Sequence, residues 1–558
     1  MLNQLYNRLI KSKYLKGTIL LAIIFLGAFI YMFRLDSNPP GLYIDEAGSA
    51  YNSYSILMTG KDEYGKAFPM AFKLFGSYTP PLYIYFNVPI IALLGLNVFS
   101  ARFLSVLCGV ASIYIYYFLL KELNIFKSKY TLFISTLFFA ITPWLIFFSR
   151  IGYEQNLAFL FFITCVLMLL KSISNNKLFM LSLPLISLAT YTDYSQKIIS
   201  PLLLIAFLFI FFKKINFKKD IRHIVLGFII AAIIQIPNLF MATTPSFYTK
   251  SNYLLSNISV DQIDKLQNYL PYQISVILAF TRDFLAKYIT YLSPRSLFFL
   301  PDPDPQRSIP NLSVFYSWMI IPYLTGLYLI IKNKKSEISI FLLTLFLITP
   351  LTGALTQDPF HIQRTYSLLL PVSFLIAVGI DKMILKRPNK FVIPTVLLVL
   401  MFSLIVFYRS YFNFLPNQKK YVWGIQYPQL AQYIKDHPNQ TFIIDQTKRV
   451  KPQDIAYIQM AFYLKIPPQI LQKDQDKDIV KNYYYDKKFN FTHNFNNLEF
   501  RPIEWGETNY RKVVLVGDTV TISDNEVALH NLTKVFEVND SDGQVILRGF
   551  ETNPKETK

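Results

Sequence analysis

The strongest constraint on this chain is a series of apolar runs. They lie near residues 17–35, 100–120, 130–148, 156–170, 178–192, 198–212, 223–241, 313–331, 338–356, 366–381 and 391–411. A bilayer offers no water to bond the backbone, so a run of about 20 apolar residues crosses it as a helix. Eleven spans are therefore expected. Basic residues sit at every second junction: Arg8, Lys11, Lys13 and Lys16, then Lys121, Lys127 and Lys129, then Lys171 and Lys177. Lys213, Lys214, Lys218, Lys219 and Arg222 follow, then Lys332, Lys334 and Lys335, and finally Lys382, Lys386, Arg387 and Lys390. Those six segments hold 21 basic residues against four acids. This alternation puts the N-terminus in the cytoplasm and, with an odd number of spans, residues 413–558 outside. The first run lacks a small-residue cleavage pattern and continues into Phe33-Arg34-Leu35-Asp36, so it reads as a membrane helix and not a signal peptide.

Composition agrees: 53% of the 558 residues are hydrophobic and 16% charged, where a soluble domain carries about a quarter charged residues. The formal net charge of +20 raises nucleic acid as a partner. Its location argues against that, because residues 1–412 hold 36 Lys+Arg against 17 Asp+Glu and residues 413–558 hold 19 against 18. The excess belongs to the membrane part. Cys108 and Cys165 lie inside apolar runs and read as buried thiols. Five scattered His and no Cys/His ligand spacing predict neither a metal site nor a cofactor.

The outer connections concentrate the remaining charge. The first, about 36–99, is long; another, about 242–312, ends in Ser293-Pro294-Arg295 and a Pro-rich stretch up to Arg307. Short outer turns carry Arg150 and Glu154, Asp193 and Lys197, and Asp358, His361 and Arg364. Charge beside lipid costs several kcal/mol unless paired or solvated, so each is a functional candidate. A carboxylate such as Asp45 can accept the proton of an attacking hydroxyl or amine. Cations can neutralise a departing phosphate oxygen. Other readings stand beside these. Asp45 and Glu46 also suit a helix start. Arg150/Glu154 and Asp193/Lys197, four residues apart, also suit structural ion pairs, and Asp62-Glu63 reads as a solvated loop pair.

The stretch Pro39-Pro40-Gly41-Leu42-Tyr43-Ile44-Asp45-Glu46-Ala47, followed by Tyr54 to Gly65 and by Phe75-Gly76-Ser77-Tyr78-Thr79-Pro80-Pro81-Leu82, resembles the first outer loop of bacterial GT-C glycosyltransferases. These are relatives of the protein O-mannosyltransferases and the lipid A aminoarabinose transferases. The resemblance covers roughly residues 15–385. It implies a polytopic helical membrane protein of GT-C type that moves a hexosyl or pentosyl unit from a polyprenyl-phosphate carrier, undecaprenyl phosphate in bacteria. The acceptor would be an extracytoplasmic protein, lipid or glycan, and transfer would proceed with inversion and without metal. Asp45 would be the catalytic base and Glu46 its support. Arg150, Lys197, Arg295, Arg307, His361 and Arg364 would meet the donor phosphate, and Glu154, Asp193, Tyr78 and Tyr83 the substrate. One departure stands out: Ser77 and Thr79 occupy positions where relatives often carry an acid and a cation.

Residues 1–412 are thus expected to form the catalytic membrane domain and 413–558 an extracytoplasmic soluble α/β accessory domain. In the latter, strands are expected at 441–444, 512–516 and 544–547, helices at 428–435 and 453–463, and a loop at 473–488. An oligosaccharide transferase or polymer ligase of the same fold class is one alternative. A lipid-linked sugar flippase or transporter is another, which would predict inverted repeats and ionisable groups at mid-bilayer.

Overall fold

The computed structural model describes residues 13–554 apart from 129, 216–219, 249–259, 387–388, 420, 447–454, 486–487, 489 and 541. Arg8, Lys11, Lys129, Lys218, Lys219, Arg387 and the first two residues of the helix expected at 453–463 lie outside the described residues.

Helices occupy all eleven expected positions. Eight are long and apolar enough to cross a membrane: Leu15–Met32, Val98–Leu123, Gln155–Ser172, Gln196–Lys214, Ile221–Ala242, Glu337–Ala354, Tyr366–Leu385 and Lys390–Gln418. The run at 130–148 is a bent pair, Thr131–Ala140 and Pro143–Ser149, that turns by 51°. Pro143 supplies no N–H to continue the ladder and starts the second piece. The runs at 178–192 and 313–331 form shorter apolar helices, Asn176–Ala189 and Ser317–Lys332. The latter crosses Leu369–Leu385 in backbone contact: a Cβ added to Gly326 would stand 1.8 Å from the Leu375 carbonyl oxygen, and one on Gly379 1.8 Å from that of Pro322. Small residues permit such close crossings in lipid, where van der Waals packing drives helix association.

We label Lys13–Met32 α1, Ile44–Thr59 α2, Leu82–Leu94 α3 and Val98–Leu123 α4. The connection after α1 holds α2, a two-stranded hairpin (β1 Phe72–Leu74, β2 Ser77–Thr79) and α3. The stretch 242–312, read from sequence as a loop, contains the 21-residue helix Tyr272–Leu292. Arg282, Asp283 and Lys287 interrupt its apolar pattern, which hid it.

Beyond the last span the chain forms a six-stranded sheet with order β4-β5-β3-β6-β8-β7. The strands are β3 Phe442–Ile444, β4 His493–Phe495, β5 Leu498–Phe500, β6 Val514–Gly517, β7 Thr533–Asn539 and β8 Val545–Glu551. The central β5-β3-β6 pairs are parallel and the flanking pairs antiparallel. The expected strands and helices are present, whereas β4, β5 and β7 were not anticipated. Within 473–488, Pro468–Asp474 and Lys477–Lys481 are short helices in place of part of the loop. One buried apolar cluster runs from Ile23 through the spans to Val516, so sheet and spans share a core.

Candidate active site

The site begins at α2. Tyr43 precedes it in an extended conformation and its N–H donates to Glu46 Oε2 at 3.0 Å. At the other end Gly60, at φ +68°, closes the helix in the left-handed region through an N–H bond to Ile56. Residues 45 and 46 differ by about 100° around such a helix, and the consequence is sharp. Asp45 is exposed, while Glu46 is 1% exposed. Glu46 Oε1 accepts from Arg102 Nε at 2.9 Å and from the Gly152 N–H at 2.7 Å, and Oε2 also accepts from Arg102 Nη2 at 3.2 Å. Arg102, on α4, spends its other donors on the carbonyls of Leu35, Pro39 and Gly41. Glu46 is therefore no acid–base partner. It is saturated, and it pins the first turn of α2, with Asp45, to α4 and the 149–154 turn.

Arg150 is also removed from the phosphate set. Its guanidinium is 0% exposed and donates to the carbonyls of Ile30, Tyr31, Phe33, Arg34 and Asn38. Those carbonyls end α1 or follow it, so Arg150 caps the negative end of that helix. Arg307 is enclosed by carboxylates: Asp358 at 2.9 Å and Asp302 and Asp304 at 3.3 Å each. His361 Nε2 lies 2.8 Å from Arg307 Nη1. A guanidinium can only donate, so this contact calls for Nε2 as the acceptor. Burial pushes the Asp302 carboxyl up to about 6, against the opposing pull of Arg307.

Tyr78 and Tyr83 are 1% and 2% exposed and serve packing. Tyr78 donates to the Tyr483 carbonyl, and the Tyr83 hydroxyl meets Ser105 Oγ at 3.0 Å. Arg295 is exposed on the short helix Pro294–Phe298. Lys73 pairs with Tyr78 across the hairpin, fully buried against the Tyr64 and Tyr78 rings. The hairpin thus has a cation after all, displaced from position 79.

The residues that do converge form two groups, the two walls of the candidate site. On one, burial and then the charges of Asp45 and Asp304 raise the pKa of the Tyr43 hydroxyl, while Arg307 lowers it. Tyr153 feels Asp45 likewise and accepts from Gln306 Nε2. Lys419, not anticipated from sequence, joins this wall. It follows the last span, donates to Ser308 O at 3.2 Å and Ser308 Oγ at 2.6 Å, and is pushed down to about 8 by burial while Asp304 and Asp302 oppose the shift. The segment after Lys419 lies against the start of α2: a Cβ on Gly41 would meet the Trp423 carbonyl oxygen at 2.3 Å, and the Trp423 and Tyr43 rings are 6.4 Å apart. On the other wall Arg364 Nη1 pairs with Asp193 Oδ1 at 3.1 Å. Lys197 lies over the rings of Tyr194 and Phe247 at 4.8 and 4.1 Å. Glu154 and Arg364 both act on the Tyr194 hydroxyl. Among the described residues no group of three or more His, Cys, Asp or Glu could hold a metal ion.

Residues 78–240 match the family model described as dolichyl-phosphate-mannose-protein mannosyltransferase. The chain matches no curated protein. Among solved structures it is similar to ArnT from Cupriavidus metallidurans bound to undecaprenyl phosphate: TM-score 0.54, 12% identity, covering 96% of this chain and 98% of that one. The apo form of the same protein gives TM-score 0.51 and 11% identity over 95% and 97%. The archaeal oligosaccharyltransferase AglB from Archaeoglobus fulgidus, in complex with an inhibitory peptide and a dolichol-phosphate, gives 0.49 and 12% over 98% and 75%. The helical spans and the sheet beyond them share the fold of ArnT, and residues 78–240 carry the match to the mannosyltransferase family model.

Proposed function

We propose that the chain is a membrane glycosyltransferase that moves a sugar from a polyprenyl-phosphate carrier to an extracytoplasmic acceptor, with Asp45 as general base. The observation that carries this reading is the division of labour at α2: Glu46 is locked by Arg102 and Gly152 while the adjacent Asp45 is exposed at the cleft. The description of the matched family and the carrier bound to the similar ArnT structure support the donor class. In the reaction Asp45 takes the proton of the acceptor hydroxyl or amine. The freed lone pair attacks the anomeric carbon, and the carbon–oxygen bond to phosphate breaks with its electron pair leaving on the phosphate. Attack opposite the leaving group inverts the centre. Positioning and charge stabilisation supply most of the rate.

The charges favour one wall for the leaving phosphate. Around Arg307 stand Asp302, Asp304 and Asp358, a net negative set that repels an anion. On the other wall Arg364 pairs with Asp193, and Lys197 lies over the rings of Tyr194 and Phe247. We assign the phosphate to Lys197 and Arg364, with Lys419 closing on it from the opposite wall. The site lies at the start of α4, Val98–Leu123, and the helix carries the basic junction at Lys121 about 35 Å away. The positive-inside rule then supports an outer position for the site.

Purified protein is incubated with polyprenyl-phosphate and polyprenyl-pyrophosphate sugars, and Asp45→Asn is compared with wild type. Transfer from the monophosphate donor, abolished in Asp45→Asn at unchanged thermal stability, is the expected result. Retained transfer in that variant overturns the assignment of the base.

A further inference from the structure

Asp62 and Glu63, which read from sequence as a solvated pair, are both 0% exposed. They lie where the sheet domain meets the connection that carries α2. Asn52, on α2, clamps Glu63 from one side: Asn52 Nδ2 donates to Glu63 Oε1 at 3.1 Å, and the Glu63 N–H donates to Asn52 Oδ1 at 3.0 Å. The Tyr457 hydroxyl, from the sheet domain, meets Glu63 Oε2 at 3.2 Å from the other side. Tyr457 itself is stacked on His493 with centroids 3.9 Å apart, and His493 Nδ1 is 2.7 Å from Asp474 Oδ2. Asp62 accepts from Tyr483 of the same domain. Further bonds follow α2 along its length. Gln459 Nε2 donates to Leu42 O at 3.0 Å just before the helix, Tyr51 donates to Ile466 O at 2.9 Å in its middle, and Gln472 Nε2 donates to Ser55 Oγ, Thr59 Oγ1 and Asp62 O at its end.

We propose that Glu63 and Tyr457 are positioning residues through which the sheet domain holds α2 in the register that aims Asp45 into the cleft. The inference rests on the reading of Asp45 as base. α2 is held from two sides. The spans grip its first turn through Glu46 and Arg102, and the sheet domain grips the remainder, where the Asn52–Glu63–Tyr457 bridge passes through a titratable carboxyl. Burial pushes Glu63 up to about 8, opposed by the bonds from Asn52 and Tyr457. The bridge is therefore neutral below that pH and acquires a buried negative charge above it. The charged and titratable groups facing this pocket are Asp62, raised to about 6, with Lys66 beside it, Lys73 over Tyr64, the His493–Asp474 pair behind Tyr457, and Tyr51, Tyr64 and Tyr483, whose pKa values are raised by burial. Among them Glu63 is the one raised to that range.

Two readouts test this in the full-length protein in micelles. Hydrogen exchange across residues 44–59 needs no substrate; kcat and donor KM need the transfer assay. Tyr457→Phe removes the hydroxyl and keeps the ring on His493, so exchange in 44–59 accelerates roughly fivefold and kcat falls with donor KM unchanged. Wild type, corrected for the intrinsic pH dependence of exchange, shows the same acceleration building up as pH rises from the ordinary carboxylate range to about 8 and levelling off above it, with kcat lost as Glu63 ionises near that upper end. Glu63→Gln, which keeps both bridging bonds and cannot ionise, retains kcat and abolishes the alkaline change in exchange. Unchanged exchange in Tyr457→Phe, or an alkaline change that persists in Glu63→Gln, overturns the positioning role. Activity in Asp45→Asn instead overturns the base assignment, so the two failures are separate.

Discussion

Removing Arg102 tests how far the site depends on a single buried ion pair. Arg102 and Glu46 both have 0% side-chain exposure. Arg102→Met leaves Glu46 a buried carboxylate whose remaining donors are the N–H groups of Gly152 and Tyr43. Breaking such a pair from one side costs about 3–5 kcal/mol. The carbonyls of Leu35, Pro39 and Gly41 lose their donor as well, at about 1 kcal/mol or more each. The single substitution should thus cost about 6 kcal/mol or more. Glu46→Gln in the same background removes the stranded charge and keeps an acceptor for one N–H group. The double variant should recover roughly 2–3 kcal/mol relative to the sum of the two single changes, the signature of direct coupling. Equilibrium unfolding in mixed micelles of wild type, both single variants and the double variant measures this. Additivity within about 0.5 kcal/mol would refute the claim that Glu46 is held by Arg102. A stable Arg102→Met variant with full transfer would refute the claim that the pair sets Asp45.

The other expectations are shorter. Arg150→Lys, which cannot span five carbonyls, should lower stability by about 2–3 kcal/mol through the lost cap while the donor KM stays within twofold; a large rise in KM with intact stability would return Arg150 to the phosphate site. Lys419 carries its charge below about 8, so donor KM should rise as pH climbs through that value. Lys419→Arg, charged throughout, should flatten the rise. Because Glu63 acts on kcat and Lys419 on KM, a pH series of each variant separates the two groups.

The spans were legible because lipid demands long apolar helices and positive charge marks one side of them. The helix Tyr272–Leu292 was not, because Arg282, Asp283 and Lys287 break the apolar pattern that marks a span. The site was legible only as a set of charged residues. One sequence reads the same for Arg150, which caps a helix, and for Arg364, which pairs with Asp193 at the cleft. Which of two adjacent acids is locked depends on Arg102, 56 residues further on in the chain. The likeness of the first loop pointed to Asp45 and Glu46 together, and only the fold separates them. Lys419 was missed for a related reason. It follows the last span beside other polar residues, and its place at the cleft comes from a contact with Ser308 across 111 positions.

The distribution of these charges bears on how the active centre works. Buried cations are tied to structural oxygens: Arg102 to Glu46 and three carbonyls, Arg150 to the end of α1, Arg307 to three carboxylates. Donors committed to the frame in this way have little to add as charge develops on a leaving group. Cations near the cleft that stand outside that frame can respond to it. Lys419 has one donor beyond the two taken by Ser308, and the Lys197 ammonium lies over the rings of Tyr194 and Phe247. A phosphate that accumulates charge as the glycosidic bond breaks would draw on these two groups increasingly along the reaction coordinate. The fixed cations hold the frame against which Asp45 and the mobile ammonium groups act.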